Sequence, residues 1–234
     1  MCGRGLKKLF RLDIGRTPYV DAWDLQKKLV ELRHQARIPD SLLIAEHEPV
    51  ITMGRATSLS NLLVSKEQLA KRGVDLFEIE RGGDITFHGP GQLVAYPIID
   101  LNNRGRDLHR YLRDLEELVI RTLSDFGISA GLKEGLTGVW AEDRKLAAIG
   151  VAVTRWITYH GLALNVNTDL DYFKMINPCG ITKYRVGSMT GILGKQIDFR
   201  AVADSLAENF AAMFYYEMET IADIDNLISE IAVG

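Results

Sequence analysis

The sequence predicts a mixed α/β fold in which a central mixed sheet is flanked by helices. Along the 234 residues, the spacing of apolar side chains switches repeatedly between the period of a strand and that of a helix. A helical bundle or a sandwich would keep one period, so neither class fits. With 47% hydrophobic and 25% charged residues the chain can bury a large core. We see no repeat or linker-like stretch, and we expect residues 1–234 to form a single domain.

Helices are predicted where capping residues precede apolar side chains spaced three and four apart: 18–37, 65–73, 107–126 and 198–214. Thr17 and Pro18 indicate an N-cap and a first helical position. Ser65 and Gln68 have the spacing of a capping box. The third helix carries the longest apolar stripe and ends at Gly127. We assign that stripe to the core rather than to a site.

Strands are predicted where apolar runs are bounded by turn residues: 41–46, 50–53, 74–80, 93–101, 139–141, 145–154 and 156–166. The last three form a meander with a charged turn at residues 142–144. The stretch 146–153 is apolar on both alternating faces, which indicates an internal strand. Between two of the strands, residues 81–92 are rich in Gly and Pro and predict a loop.

Composition also limits the class of protein. A formal net charge of −3 gives no global basic footprint for nucleic acid. No apolar run approaches the ~20 residues of a membrane helix, and residues 1–11 lack the apolar segment of a signal peptide. Of the two cysteines, Cys2 lies in a terminal stretch, so no structural disulfide to Cys179 is expected. We expect a cytoplasmic protein that binds neither nucleic acid nor membranes.

Cys179 is the first candidate catalytic residue. It stands in Asn177-Pro178-Cys179-Gly180, where proline restricts the backbone on one side and glycine frees it on the other. Such a turn can present the sulfur as a nucleophile. The alternative is a buried core residue, because unpaired cysteines often behave as small hydrophobes. Turn-forming neighbours favour the nucleophile.

The loop over residues 81–92 is the second candidate. Its glycines allow the backbone to approach a ligand closely, and Arg81 and His88 add a fixed cation and a titratable group. An ordinary surface connection is the alternative. Phosphate binding is a third interpretation, but the segment lacks the Gly-Lys-Ser/Thr ending of a P-loop.

Lys145 stands at the mouth of the predicted internal strand. Partial burial there would make its neutral amine a proton acceptor, and its charged form would stabilise a nearby thiolate. From spacing alone, a solvated hairpin turn with Arg144 is favoured. Ala148 and Gly150 are small enough for a ligand chain to lie against the strand. His160 repeats the pattern of a histidine beside a glycine, although a lone histidine is more often a satisfied core group.

The remaining histidines, His34, His47 and His109, occur in helical or turn contexts and receive no role. No group of histidine, cysteine and carboxylate residues has the spacing of zinc ligands, so no bound metal is expected.

Four motifs, taken together and in order, resemble those of the lipoate-pathway octanoyltransferases, which are related to lipoate and biotin protein ligases. The motifs are RGGDITFHGPGQ at 81–92, RKLAAIG at 144–150, HGLALN at 160–165 and NPCG at 177–180. Four motifs in the right order are far more specific than any one of them.

The resemblance implies one catalytic domain of the biotin/lipoate ligase type that needs no cofactor. It implies transfer of an octanoyl group from octanoyl-acyl carrier protein to a lysine of a lipoyl domain, the first step of endogenous lipoate synthesis. Acceptors would be the lipoyl domains of 2-oxoacid dehydrogenase complexes and the H protein of glycine cleavage.

By the same resemblance Cys179 forms an acyl thioester and Lys145 lowers the pKa of its thiol. The implied acyl-binding residues are Arg81, Gly82, Gly83, Asp84, Ile85, Thr86, Phe87, His88, Ala148, Ile149, Gly150, Gly161, Leu162 and Ala163. Candidate donors to the tetrahedral oxyanion are His88 and backbone amides near Gly150 or Gly180.

Two other functions fit the sequence. The first is an ATP-dependent lipoate or biotin ligase on the same scaffold, which would form an acyl-adenylate and no acylated cysteine. The second is a non-catalytic sensor that binds an acyl or lipoyl group. A basic cluster at Arg104, Arg106, Arg110 and Arg113 could contact an acidic carrier protein, although a solvated helix face explains it as well.

Overall fold

A computed structural model of the protein describes residues 6–177 and 185–233. Its strands are β1 (Lys7–Thr17), β2 (Asp40–His47), β3 (Val50–Met53), β4 (Asp75–Glu78), β5 (Ile85–His88), β6 (Gln92–Ile98), β7 (Gly131–Lys133), β8 (Leu136–Ala141), β9 (Arg144–Thr154), β10 (Ile157–Asn165), β11 (Arg185–Val186) and β12 (Tyr216–Thr220). Its helices are α1 (Tyr19–His34), α2 (Lys66–Lys71), α3 (Leu108–Asp125), α4 (Met189–Leu193), α5 (Phe199–Phe214) and α6 (Ile224–Val233).

The strands form a large mixed sheet and a small one. The large sheet has the order β12-β1-β2-β6-β10-β9-β8-β7, and β11 pairs with β9. Strand β1 runs parallel to both β12 and β2, whereas β2, β6, β10, β9 and β8 are antiparallel to one another in turn. The small sheet has the order β4-β3-β5. The predicted mixed α/β domain with a central mixed sheet is confirmed.

Helices cover both faces of the large sheet. On β6, Leu93 and Ala95 pack into a core with α3 and α5, whereas Val94 and Tyr96 pack into a second core with α1. This alternation is the period of two that a strand imposes on its side chains. The third core lies under the small sheet and contains Phe87, among others.

Several predicted elements depend on local signals and are confirmed. The capping box holds α2, because the Ser65 hydroxyl accepts from the backbone of Gln68 while the Gln68 side chain accepts from the backbone of Ser65. Asp107 caps α3 by accepting a hydrogen bond from the Arg110 backbone N–H. In the described ranges no helix is both long and apolar enough to cross a membrane.

Two local predictions are wrong. Thr17 is not the cap of α1: it ends β1, and Pro18 takes the N-cap position. Part of the predicted loop over residues 81–92 is instead a strand, β5, which pairs with β3 across the small sheet. Both errors have one cause, since these segments are extended only because of partners distant in sequence.

Candidate active site

A cavity of about 310 Å³ lies on the α1 side of the large sheet, between that sheet and residues 81–88. This volume lies at the lower end of small-molecule sites. Its lining includes Val94, Tyr96 and Ala163 from the α1 core, together with Lys145. Three of the four sequence motifs therefore meet at one place, although they are separated along the chain.

The floor of the cavity is formed by Ala148, Gly150, Gly161 and Ala163. Ala148 pairs directly with Ala163, and Gly150 pairs with Gly161, across strands β9 and β10. Ala148 and Ala163 place only methyl groups on this part of the sheet, so an apolar chain can lie against it. The four residues that form the floor are all apolar.

The two floor glycines also permit close backbone packing. A Cβ atom on Gly161 would lie 2.2 Å from the carbonyl oxygen of Ala95 on β6. A Cβ atom on Gly150 would lie 2.8 Å from the carbonyl oxygen of Gly82, in the segment that faces the floor. Gly161 thus allows the strands to pair, and Gly150 allows the facing segment to approach.

Arg81 and Gly82 attach that facing segment to both sheets. The Gly82 N–H donates to the carbonyl oxygen of Val151 on β9 at 2.8 Å. The Arg81 side chain is buried, and its Nη2 donates to the carbonyl oxygen of Thr52 at 2.7 Å on the small sheet. A buried, fixed cation therefore borders the cavity.

Most of the predicted acyl-binding residues line the cavity. The exceptions are Gly82, whose N–H faces β9, and Phe87, whose ring stacks on Tyr172 at 4.7 Å in the third core. Phe87 lies on the face of β5 opposite to Thr86 and His88, because neighbouring positions face opposite sides of a strand. Ile85 shares the face of Phe87 and packs in the third core, but it also borders the cavity. The lining contains Arg81, Gly83, Asp84, Ile85, Thr86, His88, Ala148, Ile149, Gly150, Gly161, Leu162 and Ala163.

Lys145 lies near the start of β9, where the register against β8 is irregular. Its Nζ atom lies 5.2 Å from the centroid of the Trp140 ring. A Cβ on Gly138 would come within 2.5 Å of its Cε atom, so the lysine stem lies directly on the Gly138 backbone. The side chain is half-buried, unlike that of a solvated turn.

Cys179 and its neighbours Pro178 and Gly180 lie outside the described residues. The described chain on either side of them is held near the cavity. Before the segment, the backbone N–H of Asn177 donates to the carbonyl oxygen of Asn61 at 2.8 Å. After it, Val186 pairs with Lys145 in the parallel β11–β9 ladder. Arg185 and Val186 also line the cavity.

His88 is held in one tautomer by a chain of side-chain amides. Asn165 donates from Nδ2 to the carbonyl oxygen of Gly187, so its Oδ1 is the atom that accepts from Nε2 of Gln92 at 2.8 Å. Gln92 Nε2 also donates to the Phe87 carbonyl oxygen, and its Oε1 therefore accepts from Nδ1 of His88 at 2.7 Å.

The proton of neutral His88 is thereby placed on Nδ1, and Nε2 carries a lone pair. Burial lowers the pKa of His88 to about 3, so the ring is neutral at neutral pH. This geometry argues against His88 as a donor to an oxyanion, because Nε2 carries no proton and the one N–H is already donated to Gln92.

His47 and His160, which received no catalytic role from the sequence, lie beside His88. His47 donates from Nδ1 to the Thr17 carbonyl oxygen and accepts at Nε2 from the Tyr96 hydroxyl at 2.7 Å. Burial lowers the pKa of His47 to about 4 and that of His160 to about 3. The ring of Tyr19 stacks on His88 with centroids 6.0 Å apart. Two charged side chains border these rings: Arg81, which is buried, and Glu80, whose Oε2 lies 3.8 Å from Nε2 of His160.

Several lining residues received no role from the sequence. Tyr19 opens α1, which the sequence assigned only to the fold, and Gln92 and Asn165 end the motifs at 81–92 and 160–165 without a role of their own. Trp140 likewise follows from no motif. The motifs that contain Gln92 and Asn165 point to the region, but nothing in them assigns these two side-chain amides to His88.

The arginine cluster lies away from the cavity. It stands on and before α3, which packs on the opposite face of the sheet. Arg104 donates to the carbonyl oxygen of Phe214, Arg106 lies over the Trp156 ring, and Arg113 pairs with Glu116. These contacts within the chain favour a structural role for much of the cluster.

Comparisons with known proteins agree with this architecture. The family model of the lipoyl protein ligase A/B catalytic domain matches residues 18–211. An octanoyltransferase of Koribacter versatilis is 47% identical over 222 residues, covering 93% of this chain and 88% of that protein. One from Rubrobacter xylanophilus is 50% identical over 198 residues, covering 84% and 89%.

A solved structure supports the fold independently. A putative lipoate protein ligase from T. acidophilum superposes with a TM-score of 0.74 at 18% identity, covering 97% of this chain and 92% of that chain. Sequence and fold thus agree, and the chain belongs to the octanoyltransferases of the lipoyl protein ligase A/B catalytic-domain family.

Proposed function

We propose that this acyltransferase moves an octanoyl group from octanoyl-acyl carrier protein to a lysine of a lipoyl domain through a thioester on Cys179. The acceptors would be the lipoyl domains of 2-oxoacid dehydrogenase complexes and the glycine cleavage H protein, in the cytoplasm. The observation that carries the proposal is the position of Lys145. It borders a cavity with an apolar glycine-alanine floor and pairs in β9 with the strand that follows the Cys179 segment.

The first half-reaction is a thioester exchange. The Cys179 thiolate attacks the octanoyl carbonyl carbon, the bond to the carrier sulfur breaks, and the departing carrier thiolate takes a proton from the Lys145 ammonium. One thioester replaces another, so the step needs no ATP and no cofactor. It leaves an octanoyl-cysteine and a neutral Lys145.

The second half-reaction restores the starting state. The neutral amine of the acceptor lysine attacks the octanoyl-cysteine, and the carbon–sulfur bond breaks as the amide forms. The amine proton passes to Lys145, which returns to the ammonium while Cys179 returns to the thiolate. Lys145 thus serves as acid in one half-reaction and as base in the other, a ping-pong course.

The cavity suits the acyl chain rather than a nucleotide. Its floor is apolar. The Nε and Nη2 atoms of Arg81 donate to Thr52, so these two nitrogens are not available to bind a phosphate group. The oxyanion of each tetrahedral intermediate needs a donor other than His88, and backbone N–H groups near Gly150 or Gly180 are the proposed donors.

Intact-mass analysis tests the proposal. The protein is mixed with octanoyl-carrier protein without ATP, and the acyl mass increment is mapped by peptide digestion. We expect one octanoyl group on Cys179 in the parent and none in Cys179→Ala. Lys145→Met should retain the folded state and lose the increment.

The competing functions give different results in the same experiment. A requirement for ATP, with no acylated cysteine, would identify a ligase. Binding of the octanoyl donor without transfer, unchanged in Cys179→Ala, would identify a sensor. Either result would overturn the thioester proposal.

A further inference from the structure

Glu116 is a fully buried carboxylate on α3, and no step of the transfer described above uses it. Its Oε1 accepts a hydrogen bond from the Gly138 backbone N–H at 2.9 Å, and its Oε2 accepts from Nη1 of Arg113. Elsewhere α3 contacts the sheet through apolar side chains such as Leu115 and Val119. Burying a carboxylate costs more than burying a leucine, so its presence calls for a specific reason.

Gly138 supplies that reason, because the strand ladders on both of its sides are irregular. The register of β8 against β9 shifts between Val139 and Trp140, and the register against β7 shifts between Gly131 and Lys133. Among the described pairs, neither ladder gives Gly138 a partner residue. A buried N–H needs an acceptor, and the Glu116 carboxylate replaces the missing strand.

The irregular position of Gly138 in turn supports Lys145. Gly138 has a φ of 134°, which other residues rarely adopt, and a Cβ there would lie 2.5 Å from Lys145 Cε and 3.2 Å from Nζ. The Trp140 ring lies beside the same amine. Lys145 therefore packs on a stretch of backbone whose position depends on Glu116.

We propose that Glu116 is a positioning residue for Lys145, acting through its hydrogen bond to the Gly138 N–H. The inference rests on the proposed function, since it assumes that the Lys145 amine acts at the transferred acyl group. A reacting group displaced by about 1 Å can lose roughly 100-fold in rate. The contact therefore sets the rate of transfer rather than the affinity for the octanoyl donor.

Two substitutions of Glu116 distinguish the effect of where its accepting oxygen lies from the effect of its negative charge. Glu116→Asp keeps the charge but withdraws the carboxylate from Gly138. Glu116→Gln removes the charge but keeps an oxygen where Gly138 needs it. We expect Glu116→Asp to lower kcat roughly 100-fold with KM for octanoyl-carrier protein unchanged, whereas Glu116→Gln stays close to the parent. Arg113→Ala, which removes the outer partner of Glu116, is the matched control and should also stay close to the parent.

A second readout does not require transfer. Amide hydrogen exchange at Gly138 should be faster in Glu116→Asp than in the parent, and the rate at which an amine-directed reagent modifies Lys145 should change, as measured by peptide mass mapping. This readout separates the two proposals. If the parent protein never acylates Cys179 but Glu116→Asp still shows these changes, the proposed function is refuted and the positioning contact is supported.

Other outcomes overturn the inference itself. They are an unchanged kcat and Lys145 reactivity in folded Glu116→Asp, or an equal loss in Glu116→Asp and Glu116→Gln. The second would show that an acceptor oxygen placed at Gly138 is not sufficient, so the hydrogen bond would not be the source of the effect.

Discussion

Gln92 accepts a hydrogen bond from Nδ1 of His88 across 2.7 Å, and this contact decides which ring nitrogen carries the proton. The Gln92 amide is itself oriented by Asn165, and Asn165 by the carbonyl oxygen of Gly187. The relay connects the chain just beyond the Cys179 segment to the cavity lining. The cavity thereby presents a hydrogen-bond acceptor at His88 instead of a donor.

The relay predicts the tautomer of His88. In protein labelled with ¹⁵N, the ring of His88 should show a protonated Nδ1 and an unprotonated Nε2 at pH 7. Gln92→Leu removes the acceptor, so both tautomers should then be populated. Protonated Nε2 in the parent would contradict the orientation derived for the Gln92 amide.

The buried histidines predict acid-sensitive stability. The pKa values of His47, His88 and His160 in the folded state, about 4, 3 and 3, lie below the ordinary value of 6.5. The unfolded chain therefore binds more protons as pH falls below about 6.5, and the free energy of unfolding falls with it. The slope should approach about 1.4 kcal/mol per pH unit for each histidine.

Urea unfolding at pH 7, 6 and 5 measures this slope. His47→Gln should reduce the dependence of the unfolding free energy on pH by the contribution of one histidine. His109→Gln, at an exposed position of α3, should leave it unchanged. Equal unfolding free energies of the parent at all three pH values would exclude neutral buried histidines.

The floor glycines predict two different kinds of damage. Gly161→Ala should lower the free energy of unfolding by about 3 kcal/mol, because the new Cβ meets the β6 backbone. Gly150→Ala should cost about 1 kcal/mol and reduce kcat/KM more strongly, because it displaces the segment facing the floor. Gly131→Ala, where a Cβ has open space, is the control. Comparable stability of all three variants would refute the packing argument.

The width of the floor predicts acyl-chain preference. Ala148→Val places two methyl groups opposite Ala163 and narrows the cavity. The ratio of kcat/KM for octanoyl over hexanoyl donors should fall about tenfold, because one methylene group that no longer fits an apolar pocket changes kcat/KM by roughly that factor. Ala201→Val, on an exposed position of α5, should leave the ratio unchanged. An unaltered ratio in Ala148→Val would show that the chain does not lie on this floor.

The elements that could be predicted from sequence are those whose signals are local. Helix α3 carries its own cap at Asp107 and its own apolar stripe, so neither its position nor its buried face depends on the rest of the chain. Strand β1 was not predicted, because its charged residues interrupt the alternation of apolar and polar side chains that indicates a strand. Its pairing partners, β2 and β12, also lie far along the chain.

The same distinction applies to the site. Glycine-rich and small-residue motifs predicted the segments around Arg81, Ala148 and Gly161, since backbone freedom and small volume are visible in sequence. The roles of Glu116 and Gln92 could not be found in this way. Glu116 is a single polar residue in an apolar helical pattern, and Gln92 ends a glycine-rich motif, so only their partners give them a role.

By itself the sequence determined the fold class, most of the helices and the segments that border the cavity, because periodicity, capping and small side chains act over a few residues. Tertiary structure alone decided that Lys145 rests on Gly138, that Glu116 supports that contact and that His88 donates from Nδ1 to Gln92, which leaves Nε2 without a proton. Hydrogen-bond geometry between distant residues exists only after the sheet has paired, and no short-range pattern encodes it.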